Sequence, residues 1–259
     1  MGLRGAFVAL VLIIGVGGCS NPLARQYEYD EQTYLEVDGS ATVVVSASVA
    51  ALVALRGLPL DPSPDARIDT DDVRQVFEAA GCVVDRVSRP WRRAGRRFVQ
   101  VQFSVEDITK AAGCGPLAWS TYSFQVGASD EGDARITYRQ TVGAPTGTVP
   151  AGVTWNGSEL VVFKLHLPSK VIFHNVRLLE NPQEVGSIGR GNILAWEQHL
   201  TTRLTGAPLV MEVIIDAESI LHQTMYLFAG AFVAAVLVLI TIIWLVIRRG
   251  RVRLRELQR

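Results

Sequence analysis

The chain has 259 residues, 49% of them hydrophobic and 19% charged, with 25 basic and 25 acidic side chains and three cysteines. Setting aside Arg4, Glu256 and the six arginines after Ile247 leaves 18 basic against 24 acidic side chains, a balance of −6 that speaks against a nucleic-acid partner. Three cysteines are too few for a disulfide-built scaffold, so the fold must rest on a hydrophobic core.

Met1 to Arg4 is a short positive region and Ala6 to Gly15 an apolar run, too short to span a bilayer and proportioned like a secretory signal. Val16-Gly17-Gly18-Cys19 resembles the bacterial lipobox, which predicts cleavage before Cys19 and acylation of its sulfur. That leaves Cys82 and Cys114 for an oxidising compartment. The expected division is a signal over 1–18, a tether over 19–25, one extracytoplasmic domain over 26–216, a linker over 217–225, a transmembrane helix over 226–247 and a cytoplasmic tail over 248–259.

Within the domain, Tyr27 to Val37 and Ala41 to Val49 are β-rich runs flanking Asp38-Gly39, a hairpin signal. Ala50 to Arg56 reads as a helical turn before Gly57, and Pro59, Pro62 and Pro64 mark a loop. A helix is predicted from Asp71 to Ala80, with Asp69 or Thr70 as cap and Gly81 as stop. Val83 to Ser88 and Arg97 to Phe103 alternate as strands, and Ser104 precedes a second predicted helix, Val105 to Ala112. Val73, Val76, Ala79, Ala80, Gly81 and Cys82 have counterparts in Val105, Ile108, Ala111, Ala112, Gly113 and Cys114, which suggests a β-α-β-β-α-β unit. Strands follow at Trp119 to Val126, Arg135 to Val142, Val161 to Leu167, Val171 to Leu178, Ile193 to Gln198 and Leu209 to Ile215, with a short helix at His199 to Leu204. The fold class is therefore α+β, mostly antiparallel, with one C-terminal transmembrane helix.

That helix, Tyr226 to Ile247, is 22 residues without a charge or proline. At about 1.5 Å per residue it spans roughly 33 Å, enough for a hydrocarbon core of about 30 Å. Fourteen of its residues are Leu, Ile, Val or Phe. At about −0.4 kcal/mol each they favour insertion by roughly 6 kcal/mol. The tail that follows carries six arginines against Glu256 and should stay in the cytoplasm.

The order of lipobox, hairpin, helix, strand pair ending in Phe103-Ser104, late Asn192-to-Trp196 strand and C-terminal helix resembles the LppM-type bacterial lipoproteins. The resemblance implies an α+β extracytoplasmic domain with lipid as a ligand class and no catalytic residues.

Enzyme motifs are missing: no Gly-x-Ser-x-Gly elbow, phosphate loop, His-Glu-x-x-His or Cys-x-x-Cys occurs. His166, His174, His199 and His222 fall on separate predicted elements, and Asp61, Asp65, Asp69, Asp71 and Asp72 lack EF-hand spacing, so neither a metal nor a cofactor is expected. The stretch that most resembles a site runs from Arg86 to Arg97. Arg86, Arg89, Arg92, Arg93, Arg96 and Arg97 surround Trp91, a set suited to phosphate headgroups at a lipid surface. Trp155, in a Gly/Pro loop, is either a second exposed aromatic or a core plug. The function expected is non-enzymatic: binding membrane lipid or an envelope protein partner. The rivals are an assembly module working through a strand edge and a hydrolase with an unrecognised site. For Cys82 and Cys114 two arguments collide. Export favours a disulfide, whereas a split βαβ unit would hold the two sulfurs at opposite edges of the sheet.

Overall fold

The structure is a computed structural model describing residues 25, 27–128, 132–218 and 220–257, with the side chains of 220–224 and 245–257 outside that description. Two sheets face each other. The larger has seven strands. They are β1 (Tyr27–Leu35), β2 (Ala41–Ser48), β3 (Val83–Val87), β4 (Trp91–Arg93), β5 (Arg96–Val105), β8 (Leu160–His166) and β10 (Ile193–His199). Their order is β10-β8-β1-β2-β5-β3, with β4 pairing the start of β5. The second sheet holds β6 (Ser120–Ala128), β7 (Ala134–Val142), β9 (Val171–His174) and β11 (Leu209–Asp216) in the order β6-β7-β11-β9. Pairing is antiparallel except between β1 and β8.

Local chemistry explains most of these elements. Gly39, at φ 86°, closes the β1–β2 turn, and Asp38 accepts the Ser40 N–H there. Helix α1 (Val49–Arg56) starts where Ser48 accepts the Ala51 N–H and stops at Gly57, left-handed at φ 62°. Helix α2 (Thr70–Ala79) is capped by Asp69, with Asp71 and Asp72 favourably placed in its first turn. Val73 and Phe77 carry α2 onto the inner face of the large sheet, where Phe77 meets Phe103.

The second predicted helix differs. Strand β5 runs on through Val105, which pairs with Ala41, so only a 3-10 helix at Ile108–Gly113 remains, capped by Asp107. Strands β2, β5 and β3 keep the order of a split βαβ unit, but β1 takes the fourth place beside β2 and β6 enters the other sheet. The two glycine stops therefore meet back to back. A Cβ on Gly81 would lie 2.7 Å from the Gly113 carbonyl oxygen, and Gly115 N–H donates to Ala80. Cys82 and Cys114 are joined there in a disulfide, with their Cα atoms 4.5 Å apart.

The core lies between the sheets and is not wholly apolar. Glu31 points inward from β1 and Arg56 arrives from α1, both fully enclosed, with Nη2 to Oε2 at 3.1 Å. Tyr29 donates to Glu31 at 2.6 Å and accepts from Arg56 at 2.6 Å. From the opposite sheet Gln140 donates to the other Glu31 oxygen at 3.3 Å, and Tyr138 donates to Gln140 at 2.7 Å. The Arg56 guanidinium lies over Trp119, whose ring also packs against Tyr29 and Phe163. This network is the polar link between the two layers.

Two stability measurements follow. Replacing both cysteines by serine should lower the unfolding free energy by about 3.7 kcal/mol, the loop-entropy value for a 32-residue separation. An unchanged denaturant midpoint would argue against the bridge. Glu31→Ala should cost about 3 to 5 kcal/mol by stranding Arg56, whereas the pair Glu31→Leu with Arg56→Met should recover most of that loss. Losses that simply add in the double variant would show that the pair does not act as a unit.

Candidate functional site

The arginine hairpin is less free than its sequence suggests. Trp91 stacks on Phe98 with ring centroids 5.6 Å apart. Arg93 lies over the same ring, 4.2 Å from its centroid, and donates to the Tyr27 carbonyl. Arg92 and Arg97 both donate to the Pro64 carbonyl, at 2.7 and 3.1 Å. Arg96 bridges Glu28 at 2.8 Å and Glu159 at 3.1 Å, and also donates to the Thr154 carbonyl. Burial pushes the Glu159 carboxyl up, but backbone N–H groups, including those of Asn156 and Gly157, and the Arg96 guanidinium hold it below its usual value. Four of the six guanidiniums are thus engaged, Arg92, Arg96 and Arg97 with loops and Arg93 with the start of β1. Among the described residues Arg86 and Arg89 are exposed and make no ion pair. A groove of about 370 Å³ opens beside the hairpin between Pro62, Pro64, Arg96, Arg97 and Val153.

The hairpin also sits far from the helix base. It adjoins Tyr27, at the start of β1, and β1 runs parallel to β8. The other end of β8 leads to Lys170, whose carbonyl accepts the Asp216 N–H at the end of β11. Helix α4 (Ile220–Leu257) begins four positions after Asp216. The hairpin and α4 therefore belong to opposite ends of the sandwich.

The remaining sequence candidates scatter. His166 stacks on Tyr34 at 3.9 Å, while His174 and His199 lie on β9 and β10. Among the described residues no group of three or more His, Cys, Asp or Glu could hold a metal. Asp61 and Asp69 bind the N–H groups of Ser63 and Asp71 in their own loops. Trp155 is half-buried against the core. Cys19, with the signal and most of the tether, lies outside the described residues, as does the side chain of His222.

A second cleft, absent from the sequence reading, opens between edge strand β10 of one sheet and β11 and β9 of the other. It holds about 420 Å³ between Leu178, Leu179, Pro182, Trp196, Leu209 and Val210. Asn175 fixes its floor: Oδ1 accepts the Trp196 indole N–H and the Glu212 N–H, each at 3.0 Å, and Nδ2 donates to the Val210 carbonyl at 2.9 Å. Glu197 marks its rim and binds Arg25 and the Tyr27 hydroxyl. Arg177 and Gln198 complete the lining, and apolar walls with such polar groups beside them suit an amphipathic, lipid-like ligand. The sequence carried one signal of this cleft: Asn175 sits beside His174 in the strand-like run from Val171 to Leu178, where a half-buried amide needs fixed partners.

No family model matches the chain, and no curated protein matches it. Among solved structures, the folded domain of LppM from Mycobacterium tuberculosis is similar over 76% of this chain and 94% of its own, at 10% identity and a TM-score of 0.35. That is a distant likeness to the family suggested by the element order, too low to carry an argument about ligand or mechanism.

Proposed function

We propose that the chain is a single-pass membrane-anchored domain, displayed outside the cytoplasm, that binds an apolar, lipid-like segment in the cleft between its two sheets. It acts as a binding module rather than an enzyme. The cleft carries this reading, because its apolar lining is open at a sheet edge while the interior between the sheets is filled by side chains. The anchor is supported by Met225–Trp244, 20 residues of helix with mean hydropathy 2.7 and none of it buried against protein. Arg96 and its neighbours enter this reading as supports of the loops beside the first groove, not as headgroup ligands. The assembly reading has one observation of its own: among the described residues β3 pairs only with β5, and Val83 on that edge is 68% exposed.

Native mass spectrometry of the detergent-extracted full chain should show a lipid-mass adduct. Leu209→Trp, which fills the cleft mouth from a half-buried position, should reduce that adduct at least tenfold without changing the circular dichroism spectrum. An adduct equally abundant in both proteins would move the ligand elsewhere, and none in the wild type would favour the assembly reading.

A further inference from the structure

The chain's exposed apolar side chains are unevenly placed. Outside α4, among the described residues, ten large hydrophobics are exposed, and five of them (Ile172, Phe173, Leu178, Val185 and Ile188) fall within 171–188, each at least 39% exposed. They occupy one lateral edge of the sandwich. Edge strand β9 supplies the first two, with a bulge where its pairing to β11 shifts register. The loop after it crosses from β9 toward β10, held by the Arg177–Val185 and Gly189–Ile193 bridges, and supplies the other three. Lys170, Arg177 and Arg190 are exposed along the same edge without an ion pair among the described residues. They outnumber its exposed carboxylates, Glu180, which pairs with Arg25, and Glu184. Apolar side chains interleaved with unpaired cations are the composition that favours an anionic lipid surface.

Both chain connections border this edge. Arg25, just before β1, is bound by Glu197 of β10 and by Glu180 of the crossing loop. At the other end, Asp216 bonds to Lys170 immediately before α4. We propose that this lateral edge lies against the bilayer, so that the sandwich reclines on the membrane with its strands along the surface rather than upright on α4. Chain length favours the same posture. At about 3.3 Å per residue, the seven residues of β8 separate the Arg25 end from the Asp216 end by roughly 20 Å. The helical turn at 220–224 before Met225 adds about 7 Å. An upright domain would therefore hold Arg25 roughly 27 Å above the lipid. With Cys19 acylated, the chain from Cys19 to Arg25 reaches at most about 21 Å at roughly 3.4 to 3.6 Å per residue, so the anchor would not close. A reclined domain removes that shortfall. The same edge contains the cleft mouth, but the posture depends on α4 spanning the bilayer and not on what the cleft binds.

The test uses the full chain in vesicles of zwitterionic and anionic phospholipid containing lipids spin-labelled near the headgroup, for positions 188 and 83, and at mid-chain, for position 236. A coumarin amino acid is placed in turn at position 188 on the edge, at position 83 on the opposite edge strand, and at position 236 within α4. The expected result is quenching at 188 at least half as strong as at 236, with little at 83. Phe173→Glu combined with Val185→Glu should abolish quenching at 188 and leave that at 236 intact. Quenching at 236 without quenching at 188 overturns the docked edge while leaving the span in place. Equal quenching at 188 and 83 overturns it as well. A position 188 that becomes shielded only when envelope protein extract is added reassigns the edge to a protein partner. Loss of quenching at 236 removes the span itself, and the posture with it.

Discussion

A stretch of apolar helix with no protein cover, attached to a β sandwich by a very short connection, governs the rest of this structure. Leaving the 14 Leu, Ile, Val and Phe side chains of residues 226–247 in water would forgo on the order of 20 kcal/mol of burial. A loss of that size favours a membrane environment for α4, in line with the length and hydropathy of Met225–Trp244. Because β11 ends four positions before α4, the sandwich cannot move far from the surface that α4 enters. In the proposed membrane-anchored arrangement, any ligand or partner meets the domain close to lipid.

Within that limit the sandwich divides its polar chemistry between interior and surface. The Arg56–Glu31–Tyr29–Gln140 network joins the two sheets through buried hydrogen bonds, with Arg56 Nη1 lacking a hydrogen-bond partner among the described residues and the guanidinium lying over Trp119. Such a network fixes how the layers face each other, since each missing partner would leave a buried polar group costing about 1 to 3 kcal/mol. The arginine hairpin does similar work nearer the surface, with Arg96 joining Glu28 on β1 to Glu159 ahead of β8. In the proposed reading recognition falls to the lateral edge bordered by β9 and β10, where the cleft, exposed apolar side chains and unpaired cations coincide.

Several features were legible in the sequence because their causes are local. The α+β class, the Asp38-Gly39 turn, the Asp69 cap of α2 and the uncharged span of α4 each follow from residues within a few positions of one another. The second helix was misread because Val105, Ile108 and Ala112 fit a helical period, while Val99, Val101, Phe103 and Val105 also fit a strand, and the ladder with β2 decided the matter. The parallel pairing of β1 with β8 had no local signal, since it joins segments more than a hundred residues apart. The hairpin arginines looked free because Glu28 and Glu159 are remote in sequence. Trp196 and Leu209 formed no recognisable set until the sheets brought them together with Leu178.

Compartment-specific reporter fusions test most directly whether α4 crosses the membrane with the sandwich outside the cytoplasm. A reporter joined after Arg259 should be active only in its cytoplasmic form, and one inserted beside Gly127, near the tip of the β6–β7 hairpin, only in its exported form. The reverse pattern, or cytoplasmic activity at both positions, would contradict the account.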